Sequence, residues 1–369
     1  MTRPVPFYNF NDLHNHEFQE KVKSRFSEIL EKNSFIEGPF NFSFEEKFST
    51  LQNCKQTLLV ANGTDALEIS LLAHGIKHGD QVAVPGITFY ATAEAVLNVG
   101  AIPVFVDILP ESGLMDPKSL QNVLEKFSIK AVMPVHIYGL PAPMKEIDNL
   151  CQGKSIPVIE DAAQAQGTIT YTGPVGSGPN LTTFSFYPTK NLSAFGDAGA
   201  ILTSNDELAE RIRAIRNHGR SPLKILGRNS RCDHLQAAVL DLKLEKTPTL
   251  NMARKKIACM YHQGFKKLNL PNVKILADDF LETSSWHLYP IQLNSVENRK
   301  KLGDHLKAYS IGFTPFYEKA LHQEKVLNQF QGETTNAELF AGKTICLPMN
   351  PYLVQEDIDT VVNCVASFF

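Results

Sequence analysis

Phe184-Ser185-Phe186-Tyr187-Pro188-Thr189-Lys190-Asn191 closes an apolar, strand-like run that begins at Leu181, and it lies downstream of a second such run, Val158-Ile159-Glu160-Asp161-Ala162-Ala163-Gln164-Ala165-Gln166-Gly167. A lysine follows the first run and an aspartate the second. If the two runs are neighbouring strands, the amine of Lys190 and the carboxylate of Asp161 come to one edge of a sheet. Pyridoxal phosphate chemistry needs that pair: an amine to form an imine with the cofactor aldehyde, and a carboxylate to hold the pyridine nitrogen protonated.

Five further apolar, β-branched runs recur between Lys55 and Ser204: QTLLVA, QVAVPG, AIPVFVDI, IKAVMPVHIYG and GAILTS, with helix-like segments between several of them. This rhythm predicts an α/β fold with a mainly parallel sheet covered by helices. Ligands of such sheets bind beyond the strand carboxyl ends, where Asp161 and Lys190 both fall. Gly75, Gly79, Pro85, Gly100 and Pro103 punctuate the runs without interrupting them. From about Thr249 the pattern changes to a helix over Asn251 to Leu268, short strands near Trp286 to Leu293, and further helices. The predicted organisation is a large domain over 1–248 with an N-terminal arm, and a smaller α+β domain over 249–369. The arm leads into an amphipathic helix bearing Phe18, Val22, Phe26, Ile29 and Leu30, which packs on the body or on a partner chain. A helix from about Asp206 to Asn217 is mostly a solvated charged face, with Arg216 and His218-Gly219-Arg220 the part best suited to an anion.

Composition narrows the function classes. A formal charge of −3 over 369 residues, without a dense basic run, gives no nucleic-acid surface. No stretch approaches the roughly 20 apolar residues of a spanning helix, and Met1 to Glu20 lacks a signal-peptide core. The expectation is a cytoplasmic protein with neither membrane nor nucleic-acid partner. Six cysteines without a C-x-x-C pair read as reduced thiols, and no metal site is expected. Gly153-Lys154-Ser155 and Gly342-Lys343-Thr344 imitate the end of a P-loop, but Asp148 and Ala337 stand where its first glycine belongs.

A cofactor phosphate needs clustered donors. Asn62-Gly63-Thr64-Asp65-Ala66-Leu67 follows an apolar run and opens a helix, so Gly63, Thr64 and Asp65 offer backbone amides, a hydroxyl and close approach. An ordinary capped helix is the alternative. Ser185, five residues before Lys190, can reach the same group. Phe89, just beyond a strand, can stack on a pyridine ring or belong to the core. Gln164 can bond the ring hydroxyl or lie on the surface. Glu160 competes with Asp161 by one position, and strand alternation sends the two side chains opposite ways. His136 also ends a strand on this edge, in either a catalytic or a structural role.

FIEGP (Phe35 to Pro39), NGTDAL, TFYATAEAV, PVFVDI, PVHIYG, VIEDAAQAQG, FSFYPTKN, FGDAGA and NSRCDHLQAAVL (Asn229 to Leu240) run in order over most of the chain. Together they resemble the DegT/DnrJ/EryC1/StrS family of sugar aminotransferases. The resemblance implies the fold type I architecture of enzymes that use pyridoxal 5'-phosphate, and a homodimer with active sites at the subunit interface. It makes Lys190 the lysine that joins the cofactor, Asp161 the partner of the pyridine nitrogen, Gln164 a contact of the ring oxygen and Phe89 the stacking residue. Gly63, Thr64, Asp65 and Ser185 would hold the phosphate, with Asn229 reaching in from the other subunit, and His322 would lie near a nucleotide-sugar. Lysine at position 190, where some members carry histidine, implies transamination rather than dehydration.

The expected reaction is a ping-pong transfer of an amine, by resemblance from L-glutamate, to a nucleotide-linked keto-deoxysugar, with Lys190 as imine partner and proton shuttle. Its product would serve polysaccharide or natural-product assembly. Ser193, Ala198, Asn180 and the segment Phe316 to His322 depart from the family pattern and are expected on the substrate side. Two alternatives stand beside this reading. One is a pyridoxal phosphate aminotransferase for a cyclitol, a sugar acid or an aminohydroxybenzoate precursor; the other is a non-catalytic binding or regulatory homologue.

Overall fold

Each of the seven strand-like runs between Lys55 and Ser204 forms a strand, and all seven join one sheet in the computed structural model, which describes residues 3–369. These strands are β1 (Gln56–Val60), β2 (Gln81–Pro85), β3 (Ile102–Val106), β4 (Ile129–Val132), β5 (Ile159–Asp161), β8 (Leu181–Ser185) and β9 (Gly199–Thr203), with a short hairpin of β6 (Ile169–Thr170) and β7 (Gly173–Pro174) inserted. Ladders run β1-β9-β8-β5 and β3-β2-β4, and the parallel bridges Val132 to Val158 and Val135 to Asp161 join the two groups. Only β9 runs against the others, pairing antiparallel with β1 and β8. Helices on both faces bury the strands, as near-continuous apolar runs require.

The C-terminal part builds a second, antiparallel sheet of β10 (Val273–Lys274), β11 (Tyr289–Leu293) and β12 (Thr344–Leu347). The helices Thr247–Leu268, Val296–Ala308 and Gln355–Ser367 pack with it. Its core is continuous with the large sheet: Val104, Val106 and Val132 share one apolar cluster with Tyr261, Trp286, Tyr289 and Leu302. Trp286 is completely buried there.

In the helix His16–Lys32, Phe18, Val22, Phe26 and Ile29 form the stripe packed on the body, and Leu30 is exposed beside it. One expectation is corrected. Arg216 is no anion site: its guanidinium is taken up by Glu37, Glu45 and the Leu59 carbonyl.

The turn carrying Lys190 rests on an aromatic cluster. Phe48, from the helix Pro39–Gln52, packs edge-on against Phe184 and Phe186 with ring centroids 5.2 and 5.6 Å away. Phe48 is fully buried, so Phe48→Ala should cost about 3–5 kcal/mol. A thermal unfolding midpoint unchanged by this substitution would contradict the packing role.

Candidate active site

Strand alternation at β5 separates the two carboxylates. Glu160 turns to His136, whose Nε2 lies 2.9 Å from its carboxylate. His136 accepts the Ala142 amide at Nδ1 (3.0 Å), so Nε2 carries the proton and the histidine serves a structural pair. Asn180 donates to Glu160 and to Asp148, each at 3.0 Å. Asp161 turns the other way. Its Oδ2 accepts from Thr92 Oγ1 at 2.9 Å and its Oδ1 from the Ala163 amide at 3.1 Å. Thr92 in turn lies 2.9 Å from Thr88, so a file of hydroxyls steadies the carboxylate. Asp161 is 5 % exposed, and no cation forms an ion pair with it among the described residues. Burial raises its pKa, opposed by these hydrogen bonds and by the charge of Lys190.

Lys190 sits in a turn closed by its own amide bonding the Tyr187 carbonyl at 2.8 Å. Burial pulls its amine down to about 8, with Asp161 acting in the opposite direction. Asn191 anchors the turn to the C-terminal part: its Nδ2 donates to the Ser285 carbonyl at 3.0 Å, and its Oδ1 lies 3.2 Å from His287 Nδ1.

The helix Gly63–Ala73 begins beside the end of β8. A Cβ built on Gly63 would stand 2.7 Å from Ser185 Cβ, so only glycine brings this helix start and the serine together. Asn62 caps the helix by accepting the Asp65 amide at 2.8 Å. The Asp65 amide is therefore engaged, which corrects its expected role as a free donor. The amides of Gly63 and Thr64 have no protein acceptor among the described residues, and they carry the positive end of the helix dipole.

Gln164 is buried, not a surface amide. Its Oε1 accepts from the Tyr138 amide at 2.6 Å and its Nε2 donates to the Tyr317 hydroxyl at 3.0 Å, which leaves one Nε2 hydrogen for a ligand. Phe89 is 60 % exposed, which removes the core alternative and leaves an aromatic face beside the β2 end. Asn229 shares a polar cavity of about 460 Å³ with Asn62, Asp197 and Arg231, and its Oδ1 accepts from Arg231 at 2.8 Å. His322 does not join this group. Its Nε2 lies 2.9 Å from Glu338, its ring stands near Phe105, and it lines a separate cavity of about 380 Å³ with Phe127 and Phe330.

Sequence reasoning passed over Thr92, Tyr317 and His287. Thr92 stands in the first turn of the helix Ala91–Asn98 with Thr88 just before it, whereas Tyr317 and His287 reach the site only through the tertiary fold. The departures Asn180, Ser193 and Ala198 do not mark the substrate side. Asn180 serves the Glu160 network, Ser193 accepts from the buried Lys243 at 3.0 Å, and Ala198 packs in the core with Phe186.

These residues fit pyridoxal phosphate. A buried carboxylate without a cation suits a pyridinium, a partly neutral lysine suits an aldehyde, and a helix start with two free amides beside Ser185 suits a phosphate. Fold and site thus define an aminotransferase that uses pyridoxal phosphate. The chain belongs to the DegT/DnrJ/EryC1/StrS aminotransferase family, whose model matches residues 16–366. It is 36 % identical to a UDP-N-acetyl-3-dehydro-alpha-D-glucosamine 3-aminotransferase of Acidithiobacillus ferrooxidans, over 94 % of this chain and 93 % of that one. It is 32 % identical to a dTDP-3-amino-3,4,6-trideoxy-alpha-D-glucose transaminase of Streptomyces venezuelae, covering 99 % and 96 %. The crystal structure of S. venezuelae DesV with a ketimine intermediate superposes with a TM-score of 0.92 at 32 % identity, covering 99 % and 98 %. That of NtdA from Bacillus subtilis, with bound pyridoxamine phosphate, gives 0.90 at 29 %, covering 100 % and 86 %.

Only the neutral amine of Lys190 attacks an aldehyde. Because its pKa is lowered to about 8, covalent capture of added pyridoxal phosphate by the apoprotein should quicken about tenfold per pH unit up to pH 8 and level off above it. Borohydride trapping at successive pH values reads this. A rate still climbing toward pH 10.5 would mean an unperturbed lysine.

Proposed function

We propose that this protein transfers an amino group from an amino acid, L-glutamate by family resemblance, to a nucleotide-linked keto sugar. The observation that carries the reading is the placement of Asp161 and Lys190 at the ends of adjacent parallel strands, one a buried carboxylate lacking a cation and the other an amine held partly neutral. When bound, pyridoxal phosphate supplies an aldehyde that joins amines covalently and a ring that draws electrons from the neighbouring carbon. Asp161, steadied by Thr92 and the Ala163 amide, would keep a proton on the ring nitrogen. Lys190 Nζ is the group that would accept the proton from the donor's Cα. Phe89 and Gln164 would orient the ring, while Gly63, Thr64 and Ser185 would hold the phosphate. Asp65 contributes to this loop through its capped amide.

The nucleotide-sugar assignment draws on the two relatives, whose names specify UDP- and dTDP-linked sugars. His322, which lines a separate cavity, enters it by family resemblance alone. Residues 1–248 and 249–369 act as a cofactor-binding part and a covering part. By family resemblance, two copies would pair so that Asn229 of each completes the phosphate site of the other.

The direct test is incubation with ¹⁵N-labelled L-glutamate and UDP- or dTDP-linked 3-keto and 4-keto sugars. Mass spectrometry should find the label in one amino sugar for the wild type and in none for Lys190→Ala. Label in no sugar, but in a cyclitol or sugar acid, would replace the nucleotide-sugar reading.

The shared-site arrangement makes its own prediction. Lys190→Ala and Asn229→Ala should each be nearly inactive, yet mixing and refolding them together should restore about a quarter of the sites by subunit exchange in a two-fold dimer. No recovery, with hybrid dimers shown by mass, would place Asn229 in its own subunit's site.

A further inference from the structure

Arg254, in the first half of the helix Thr247–Leu268, is 9 % exposed. Its Nη1 donates to the Trp286 carbonyl at 3.3 Å and to the Met349 carbonyl at 2.5 Å. No carboxylate reaches it within ion-pair distance among the described residues, and its Nε and Nη2 have no protein acceptor there. The groups of opposite sign set against it are the Tyr8 and Tyr352 hydroxyls, which are uncharged at neutral pH. A buried guanidinium lacking an anion is unfavourable unless a ligand supplies one.

The surroundings say which anion. Arg254 lines a cavity of about 30 Å³ together with Tyr8, Thr189, Lys190 and Asn350. The Lys190 side chain on the same lining makes a carboxylate carried next to an amine the anion that suits this place. His287, buried beside Asn191, feels the charges of both Lys190 and Arg254, so the guanidinium and the reactive amine flank the same region. A guanidinium also binds a carboxylate in two parallel hydrogen bonds, which fixes direction as well as position.

We propose that Arg254 binds a carboxylate of the amino donor, presenting the donor's nitrogen and Cα toward Lys190, while Tyr8 of the N-terminal arm closes the cavity. The assignment rests on the transamination reading above, because an amino-acid donor always brings a carboxylate close to its reacting nitrogen.

Calorimetric titration of glutarate, an unreactive dicarboxylate, into the holoenzyme tests it. The wild type is compared with Arg254→Lys and Arg254→Gln, each shown to be folded by near-ultraviolet circular dichroism. The glutamine variant keeps a donor for the two carbonyls should the lysine variant fold poorly. The expected result is glutarate binding in the wild type and at least about a tenfold rise in Kd in the folded variant, the loss typical of a charge-assisted hydrogen bond. Inorganic pyrophosphate should bind all forms alike. Glutarate affinity within about twofold of wild type, or a selective loss of pyrophosphate instead, would overturn the subsite. A wild type that binds glutarate through Arg254 but shows no visible spectral change with L-glutamate would overturn the transamination reading and the donor assignment with it. A normal spectral change, with glutarate binding indifferent to Arg254, would overturn the subsite alone.

Discussion

A carboxylate buried at the end of β5 with no cation to pair with is the constraint around which this site is built. Leaving Asp161 ionised in that place is costly, and two hydrogen bonds from Thr92 and the Ala163 amide offset only part of the cost. A positively charged ring nitrogen completes the balance. The same burial that raises the pKa of Asp161 lowers that of Lys190, so one apolar environment prepares both groups, in opposite directions, for one cofactor.

The sheet makes this possible by topology. Parallel pairing of β5 with β8 sends Asp161 and the Lys190 turn out of the same edge, and β1 delivers the helix start of Gly63 and Thr64 to that edge as well. The antiparallel β9 lies between β1 and β8, and Gly199 permits close approach there: a Cβ on it would come within 2.4 Å of the Asn62 carbonyl. The C-terminal sheet is held to this edge through Asn191, Ser285 and His287.

Much of this was legible in the sequence, because the strand runs are strongly apolar and the chemistry-bearing residues stand immediately after them. Lys190, Asp161, Gly63 and Ser185 each follow from a strand end. Choosing Asp161 over Glu160 needed the pleat, and the His136 partnership of Glu160 supplies the physical reason. What stayed hidden depended on contacts distant in sequence. Thr92 stands 69 positions from the carboxylate it bonds, and Arg254 and His287 look like ordinary helix and strand residues until the C-terminal part folds over the lysine turn. His322 carried a motif but not a location, since its ring is drawn to Glu338 and Phe105.

The central claim is that Lys190 and Asp161 form one working pyridoxal phosphate site. The visible absorption of the purified protein, supplied with pyridoxal phosphate, before and after addition of L-glutamate, tests it most directly. A yellow band that bleaches in the wild type and is not bleached in Lys190→Ala is the result this account predicts. A wild-type protein that gains no band from added cofactor would contradict it and would leave the fold serving as a non-catalytic scaffold.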